Sequence, residues 1–242
     1  MMKKPPSVIA IDGPAAAGKT TLAKQLAAHL GYLYFDTGVL YRAITLAAVR
    51  QGLDLADADA VTLLARALTI DVLPADDSRG YRVFVDGEDV TNQIRTAEID
   101  EAVSIPSAYA GVRTAMIEQQ RRIAERGHVV MVGRDIGTVV IPGADLKLYL
   151  EASVEERARR RWQESQAEGR SDTLQDILDA MRRRDELDTK RAVAPLKPAE
   201  DAVRIDTTGL TLAEVLAYSL RIVDEAGCSE EADEQIASSP KE

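Results

Sequence analysis

The chain has very little of what several function classes require. Cysteine occurs once in 242 residues, as Cys228 in a polar C-terminal stretch. That excludes a disulfide framework and a cysteine-built metal site, and it points to a reducing compartment. Histidine occurs twice, as His29 and His128, and neither has partners spaced for metal ligation or general base work. Aromatic residues make up only 4% of the chain, so its basic clusters have no stacking platform and a nucleic-acid partner is not expected. The start, MMKKPPSVIAIDG, has a short apolar run soon broken by Asp12. It is too short for a signal segment or a membrane span, so a cytoplasmic protein with no membrane contact is expected. No internal repeat is visible.

What is present fits an α/β domain with an insertion. A chain of this size buries about 70 to 75% of its unfolded surface and needs no covalent or metal staple. The formal net charge of −10 is unevenly spread: residues 224–242 carry seven acids against Lys241 alone. With low hydrophobicity and one sign of charge, 224–242 reads as a disordered tail outside the chemistry. Ser7 to Ile11 reads as a buried strand, and Lys19 to Leu30 as a helix with Leu22, Leu26 and Leu30 in one stripe, stopped by Gly31. A second strand is expected at Tyr32 to Phe35, and DTG opens another helix through Leu46. Residues 54–100 depart from this alternation. A helical stretch, a strand TIDVL and the period-two segment YRVFVDGEDV around Asp86-Gly87 predict an antiparallel ribbon. One helix is expected over 107–126, then strands at His128 to Val132, Leu146 to Leu150 and Val203 to Ile205. Ser153 with Glu156, and Thr211 with Glu214, form capping boxes that start an Arg-rich helix and the final helix. A second charged helix is expected from Asp172 towards Asp188.

Between the first strand and the first helix lies GPAAAGKT, Gly13 to Thr20, a complete G-x-x-x-x-G-K-[ST] phosphate loop in the context its mechanism needs. Glycines let backbone N–H groups turn toward phosphate oxygens, and the helix N-terminus adds partial positive charge. Lys19 is placed to reach the β- and γ-phosphates of ATP, and the Thr20 hydroxyl to ligate Mg²⁺. Such a grip serves kinases, GTPases and motor ATPases alike. No Asn-Lys-x-Asp guanine motif occurs, and the apolar strand VVMV ends in Gly133-Arg134-Asp135 instead of a pair of acids. An arginine directly before the acid suits a site that also holds a second phosphate.

Phosphoryl transfer between two phosphates is catalysed mostly by positioning and charge neutralisation. Arg42, Arg113 and Arg134 stand singly near element ends, while Arg157, Arg159, Arg160 and Arg161 cluster, as do Arg182, Arg183 and Arg184 before Arg191. Arg157 and Arg161 share a helix face at i, i+4, and the stretch 157–171 has the composition of a lid that closes over ATP. Trp162 is expected to pack beneath that helix.

The segments IAIDGPAAAGKTTLAKQLA, FDTGVLYRA, VGRDIGTVVIP and KRAVAPL together resemble bacterial cytidylate kinase, the (d)CMP kinase of the nucleoside monophosphate kinases. The match runs in consistent order from about 7 to about 222, and EDVTNQIR in the insertion resembles that family's enlarged monophosphate-binding region. The resemblance implies a P-loop kinase core over about 7–36, 107–156 and 189–222, an inserted monophosphate-binding subdomain over 37–106, and the lid. It implies a monomer that uses ATP and Mg²⁺ to phosphorylate CMP and dCMP. Gly13, Pro14, Ala15, Ala16, Ala17, Gly18, Lys19, Thr20 and Thr21 then hold ATP, and Lys19, Arg134, Arg157 and Arg161 form the catalytic set. Arg42 and Arg134 hold the CMP phosphate. Ser104, Arg113, Asp135 and Arg191 read the nucleoside, and Arg184 and Asp188 fall near sugar and phosphate. Thr37 stands near the base where the family usually has serine. Other monophosphate kinases, or a nucleotide-dependent switch, are the competing readings; turnover across a substrate panel separates them.

Overall fold

The computed structural model describes residues 5–75, 79–167, 169, 171–190 and 194–227. Arg191, Cys228 and residues 228–242 lie outside them. Along the chain β1 (Val8–Asp12) leads to α1 (Lys19–Leu30), β2 (Leu33–Asp36) and α2 (Gly38–Arg50). Then come α3 (Ala58–Ala67), β3 (Ile70–Pro74), β4 (Tyr81–Val85), β5 (Glu88–Asp89), α4 (Ala97–Ala102), α5 (Ser104–Ala108) and α6 (Ala110–Ala124). The remainder is β6 (Val129–Val132), β7 (Leu146–Glu151), α7 (Val154–Ala167), α8 (Leu174–Lys190), β8 (Val203–Asp206) and α9 (Leu212–Ala226).

Five strands form a parallel sheet in the order β2-β6-β1-β7-β8. Their sequences are near-continuous apolar runs because helices cover both faces, and Ile9, Ile11, Val130 and Leu150 have no solvent exposure. From β1 the chain crosses outward to β2, and β6 and β7 later fill in on its two sides. The carboxyl end of β1 is therefore where strand order switches, the crevice in which open α/β sheets bind ligands. Every loop of the candidate site leaves this edge.

The predicted ribbon is present as a second, three-stranded sheet in the order β3-β4-β5. Asp86 (φ 48°) and Gly87 (φ 87°) both adopt left-handed backbone, the pairing that a two-residue hairpin turn requires. The ribbon packs on the main sheet through the Tyr34 and Tyr81 rings, with centroids 5.6 Å apart. One hydrophobic core includes residues of both sheets, among them Ile9, Val72, Tyr81 and Val130.

Four differences from the sequence expectation have local causes. The helix expected over 107–126 is broken at Tyr109, whose backbone is extended (ψ 126°) and whose hydroxyl donates to Leu55 O at 2.8 Å. That redirection lets Gly111 meet Thr62 of α3, where even a Cβ would lie 2.4 Å from the Thr62 methyl. Residues 97–102 form a helix that the ribbon pattern hid, capped by the Thr96 hydroxyl accepting from Ile99 N–H. GRDIGTVV continues into a wide π-type turn over Ile136–Val140. Finally, Asp224 to Ala226 are helical and so do not belong to a disordered tail: the observed Thr211–Glu214 capping box starts α9, and buried Ile222 and Val223 hold its last turn.

Candidate active site

The phosphate loop is built on backbone that few side chains tolerate. Gly13 has φ 140°, and a Cβ there would sit 2.0 Å from the Leu150 carbonyl oxygen of β7. Ala16 (φ 59°) and Gly18 (φ 91°) are left-handed, a conformation that turns successive N–H groups toward one concavity. Lys19 folds back and donates to Pro14 O at 2.6 Å. Burial lowers its pKa to about 7, the Arg134 charge acts in the same direction, and Asp12 and Asp36 oppose it. Thr20 is exposed at the first turn of α1, and its side chain shares a hydrogen bond with Tyr34.

Ala15 to Thr21 form one wall of a cavity of about 680 Å³. The opposite wall brings Arg160, Arg161 and Arg184 together with Met181, Leu210, Leu212 and Val215. Cations and apolar side chains facing a phosphate loop suit a nucleotide, with its charge at one end and its ring at the other. Desolvation and then the neighbouring Arg161 charge lower the pKa of Arg184, so a polyanion entering here relieves repulsion between the two. Arg184, expected near the acceptor sugar, lines the cavity beside the phosphate loop.

The two lid arginines separate. Arg157 is 4% exposed and donates to Ala152 O at 3.0 Å, Ala15 O at 3.3 Å and both oxygens of Asp185 in α8. It braces the phosphate loop from beneath. Arg161 is half-exposed in the cavity wall and pairs with Glu164 at 3.1 Å. Arg160, on the same helix, donates to Thr207 Oγ1 and O, and Thr207 Oγ1 donates to Ala17 O at 3.3 Å. That chain of bonds ties α7, the end of β8 and the phosphate loop together.

The residues read as the acceptor half lie past β6 and on or beside α2, α5, α6 and α8. Arg134 and Asp135 follow β6, the strand beside β1. Arg134 is paired with Asp188 of α8, and Asp135 with Arg113 of α6 at 3.2 Å. Arg113 also lies over the Tyr41 ring, 5.9 Å from its centroid. Arg42 donates to Ile94 O at 3.3 Å. Thr37 is buried, and its hydroxyl donates to Val132 O at 3.1 Å, so its oxygen is held at the strand end. Ser104 is exposed at the start of α5. Among the described residues no cluster of three or more His, Cys, Asp and Glu is arranged to hold a metal.

Asp12 is a site residue that the sequence reading passed over. It is 5% exposed, and its carboxylate accepts from Ile136 N–H at 2.9 Å and Gly137 N–H at 2.7 Å. Burial pushes its pKa from 3.8 up to about 6, against those two N–H bonds, and the Asp135 charge adds to the rise. The available signal was an acid in the last position of an otherwise apolar strand. The native state binds this proton more tightly than the unfolded chain does. Stability from the group is therefore complete below about pH 4 and lost as pH rises through about 6. Urea unfolding of wild type and Asp12→Asn should show the difference shifting toward the variant by about 2 kcal/mol from pH 4 to pH 7; a flat difference refutes it.

A parallel sheet with a phosphate loop at its switch point, facing arginines across a crevice, defines a P-loop kinase architecture. Sequence comparison specifies the rest. Residues 9–225 match the family Cytidylate kinase. The chain is 49% identical over 216 residues to the cytidylate kinase of Bacillus licheniformis, covering 89% of this chain and 95% of that one. It is 50% identical over 220 residues to that of Herpetosiphon aurantiacus, covering 90% and 94%. The chain belongs to the cytidylate kinase family. A solved structure of an uncharacterized protein from Eubacterium ventriosum shares the fold at TM-score 0.51 and 12% identity, covering 90% of this chain and 98% of that one. No described helix is long and apolar enough to cross a membrane.

Proposed function

We propose that the protein transfers the γ-phosphoryl group of ATP to CMP and dCMP, giving ADP with CDP or dCDP. Beyond family membership, the observation that carries this reading is the placement of Arg134 and Asp135 just past β6, the strand beside β1, with the Arg134 charge acting on Lys19 of the phosphate loop. A phosphate grip, a second cation and a buried hydrogen-bonding acid then share one crevice.

The loop from Gly13 to Thr21 holds the ATP phosphates, and Lys19 neutralises the group in transit. The Thr20 hydroxyl, exposed at the first turn of α1, offers a hard oxygen of the kind that suits Mg²⁺. Thr20 would hold the ion, which would supply charge neutralisation at the phosphate oxygens. Arg42 and Arg134 orient the acceptor phosphate for in-line attack, with Arg161 and Arg184 over the donor. The attacking oxygen is already anionic, so no general base or covalent enzyme intermediate is required. Arg157 supports the loop, Asp188 belongs to the sugar and phosphate side, and Arg191 to the nucleoside. The enzyme acts as a cytoplasmic monomer.

Base choice follows from the Arg113–Asp135 pair, with Thr37 and Ser104 toward the nucleoside. Asp135 accepts from the cytosine amino group, and Arg113 donates to the ring nitrogen or O2. Uracil presents an acceptor in place of the amino group and a donor at the ring nitrogen, which mispairs Asp135, and Arg113 where it donates to that nitrogen. In a coupled assay with ATP and Mg²⁺, CMP and dCMP should exceed UMP by about tenfold or more, the cost of one mispaired buried polar group. Turnover of AMP comparable to CMP, or ATP loss independent of any monophosphate, overturns the proposal.

A further inference from the structure

We propose that Asp12 is a positioning residue for the acceptor half of the site, holding Arg134 and Asp135 in register with the phosphate loop. The inference rests on the kinase reading above and adds a residue to it. β1 and β6 pair from Val8–Val129 to Ile11–Val132, and Gly133 N–H still donates to Ile11 O at 3.1 Å. Beyond that point the two chains part, one into the phosphate loop and the other into Arg134 and Asp135. The Asp12 carboxylate carries the connection past the end of the ladder, one oxygen to each of the next two N–H groups after Asp135.

Those N–H groups open the π-type turn, where backbone donors have no partner within the turn and an anion is favoured. The far end of the turn is held as well, since Arg121 of α6 donates to Val139 O and Val140 O at 2.9 and 2.7 Å. Gly137 makes the near end possible. A Cβ there would lie 3.0 Å from Lys147 Cδ and 3.4 Å from Asp12 Oδ2, so a larger residue presses the turn against the lysine, whose Nζ is held by Asp201, and against the carboxylate. Neutral asparagine has the size of Asp12 but only one acceptor, which leaves an amide NH₂ against one of two N–H donors. The turn must then shift, and Arg134 and Asp135 shift with it.

A displacement of this kind costs rate without costing the fold. Asp12→Asn in the full chain should lower kcat/KM for CMP about 100-fold, as for a catalytic group misplaced by about 1 Å. Its affinity for ATP, titrated calorimetrically without a monophosphate, should be unchanged or tighter, because a carboxylate facing Lys19 has gone. Gly137→Ala, with Asp12 intact, should reproduce the same one-sided loss in CMP kinetics and in CMP binding. Wild-type turnover of the monophosphate panel tests the kinase reading independently, and the variants are assayed with whichever monophosphate the wild type takes. Wild-type-like acceptor kinetics in Asp12→Asn, or equal loss of ATP and acceptor affinity in either variant, overturns the inference. If Asp12→Asn does not fold, Gly137→Ala decides by the same criterion.

Discussion

Replacing Arg134 by alanine should lower kcat about 1,000-fold or more, the range in which a single arginine on a transferring phosphoryl group contributes. Its guanidinium lies at the end of β6, only 21% exposed and paired with Asp188. Its charge is also close enough to depress the Lys19 pKa. The cation therefore reaches toward both the phosphate loop and the acid on α8, and the variant loses an interaction that strengthens as the phosphoryl group moves between two nucleotides. The KM for CMP should rise as well, while ATP binding in the absence of CMP should hold, since the donor cavity is lined by other arginines. Arg134→Lys separates charge from geometry. It keeps a cation but loses the planar fork, so recovery should be partial. Steady-state kinetics with both substrates varied checks each part, and a kcat within tenfold of wild type for Arg134→Ala refutes the assignment.

Gly13→Ala is expected to have the largest effect on the fold, although it adds one methyl group. The new Cβ would lie 2.0 Å from the Leu150 carbonyl oxygen, at a φ of 140° that alanine rarely adopts. Backbone faces backbone here, and no side chain can rotate away. The loop must lift from β7 or the sheet must open. A loss of about 3 kcal/mol or more in unfolding free energy is expected from overpacking and backbone strain together. ATP should no longer bind measurably, because the loop N–H groups leave their common centre. Urea unfolding and ATP titration of the variant check the two effects separately. By contrast, a Cβ at Gly31, just beyond α1, would meet nothing within 4 Å, although its φ of 69° is also left-handed. Gly31→Ala should therefore cost only about 1 kcal/mol of backbone strain and leave ATP binding intact.

Much of the fold was legible because the signals are local. The four-residue spacing of leucines in α1 and the glycine after it fix that helix from Lys19 to Leu30, as observed. Asp86-Gly87 specifies its own turn, and Thr211 with Glu214 its own cap. The phosphate loop is equally self-declared, since glycine positions and one lysine over eight residues determine where N–H groups can point. The break in the helix expected over 107–126 turned on a contact outside the segment. Tyr109 breaks the helix to reach Leu55, more than fifty residues earlier, and no periodicity within 107–126 contains that.

The arginines divide along the same line. Their number, and the Gly133-Arg134-Asp135 sequence at a strand end, are properties of the chain and were enough to suggest a second phosphate. Which arginine does what was decided by packing. Arg157 and Arg161 are one helical turn apart and alike in sequence, yet one is buried against Ala15 O and Asp185 and the other faces the cavity beside the phosphate loop. Asp12 is the sharpest case, because its partners lie 124 and 125 residues away. By itself the sequence determined the strands, the helices and the loop that grips phosphate, since each depends on neighbours along the chain. Only the tertiary structure decided the ion pairs, the buried carboxylate and the division of labour among arginines. Those depend on which strand lies beside β1, and it is the crossing of the chain, from β1 out to β2 and back to β6, that places Arg134 and Asp135 next to the phosphate loop.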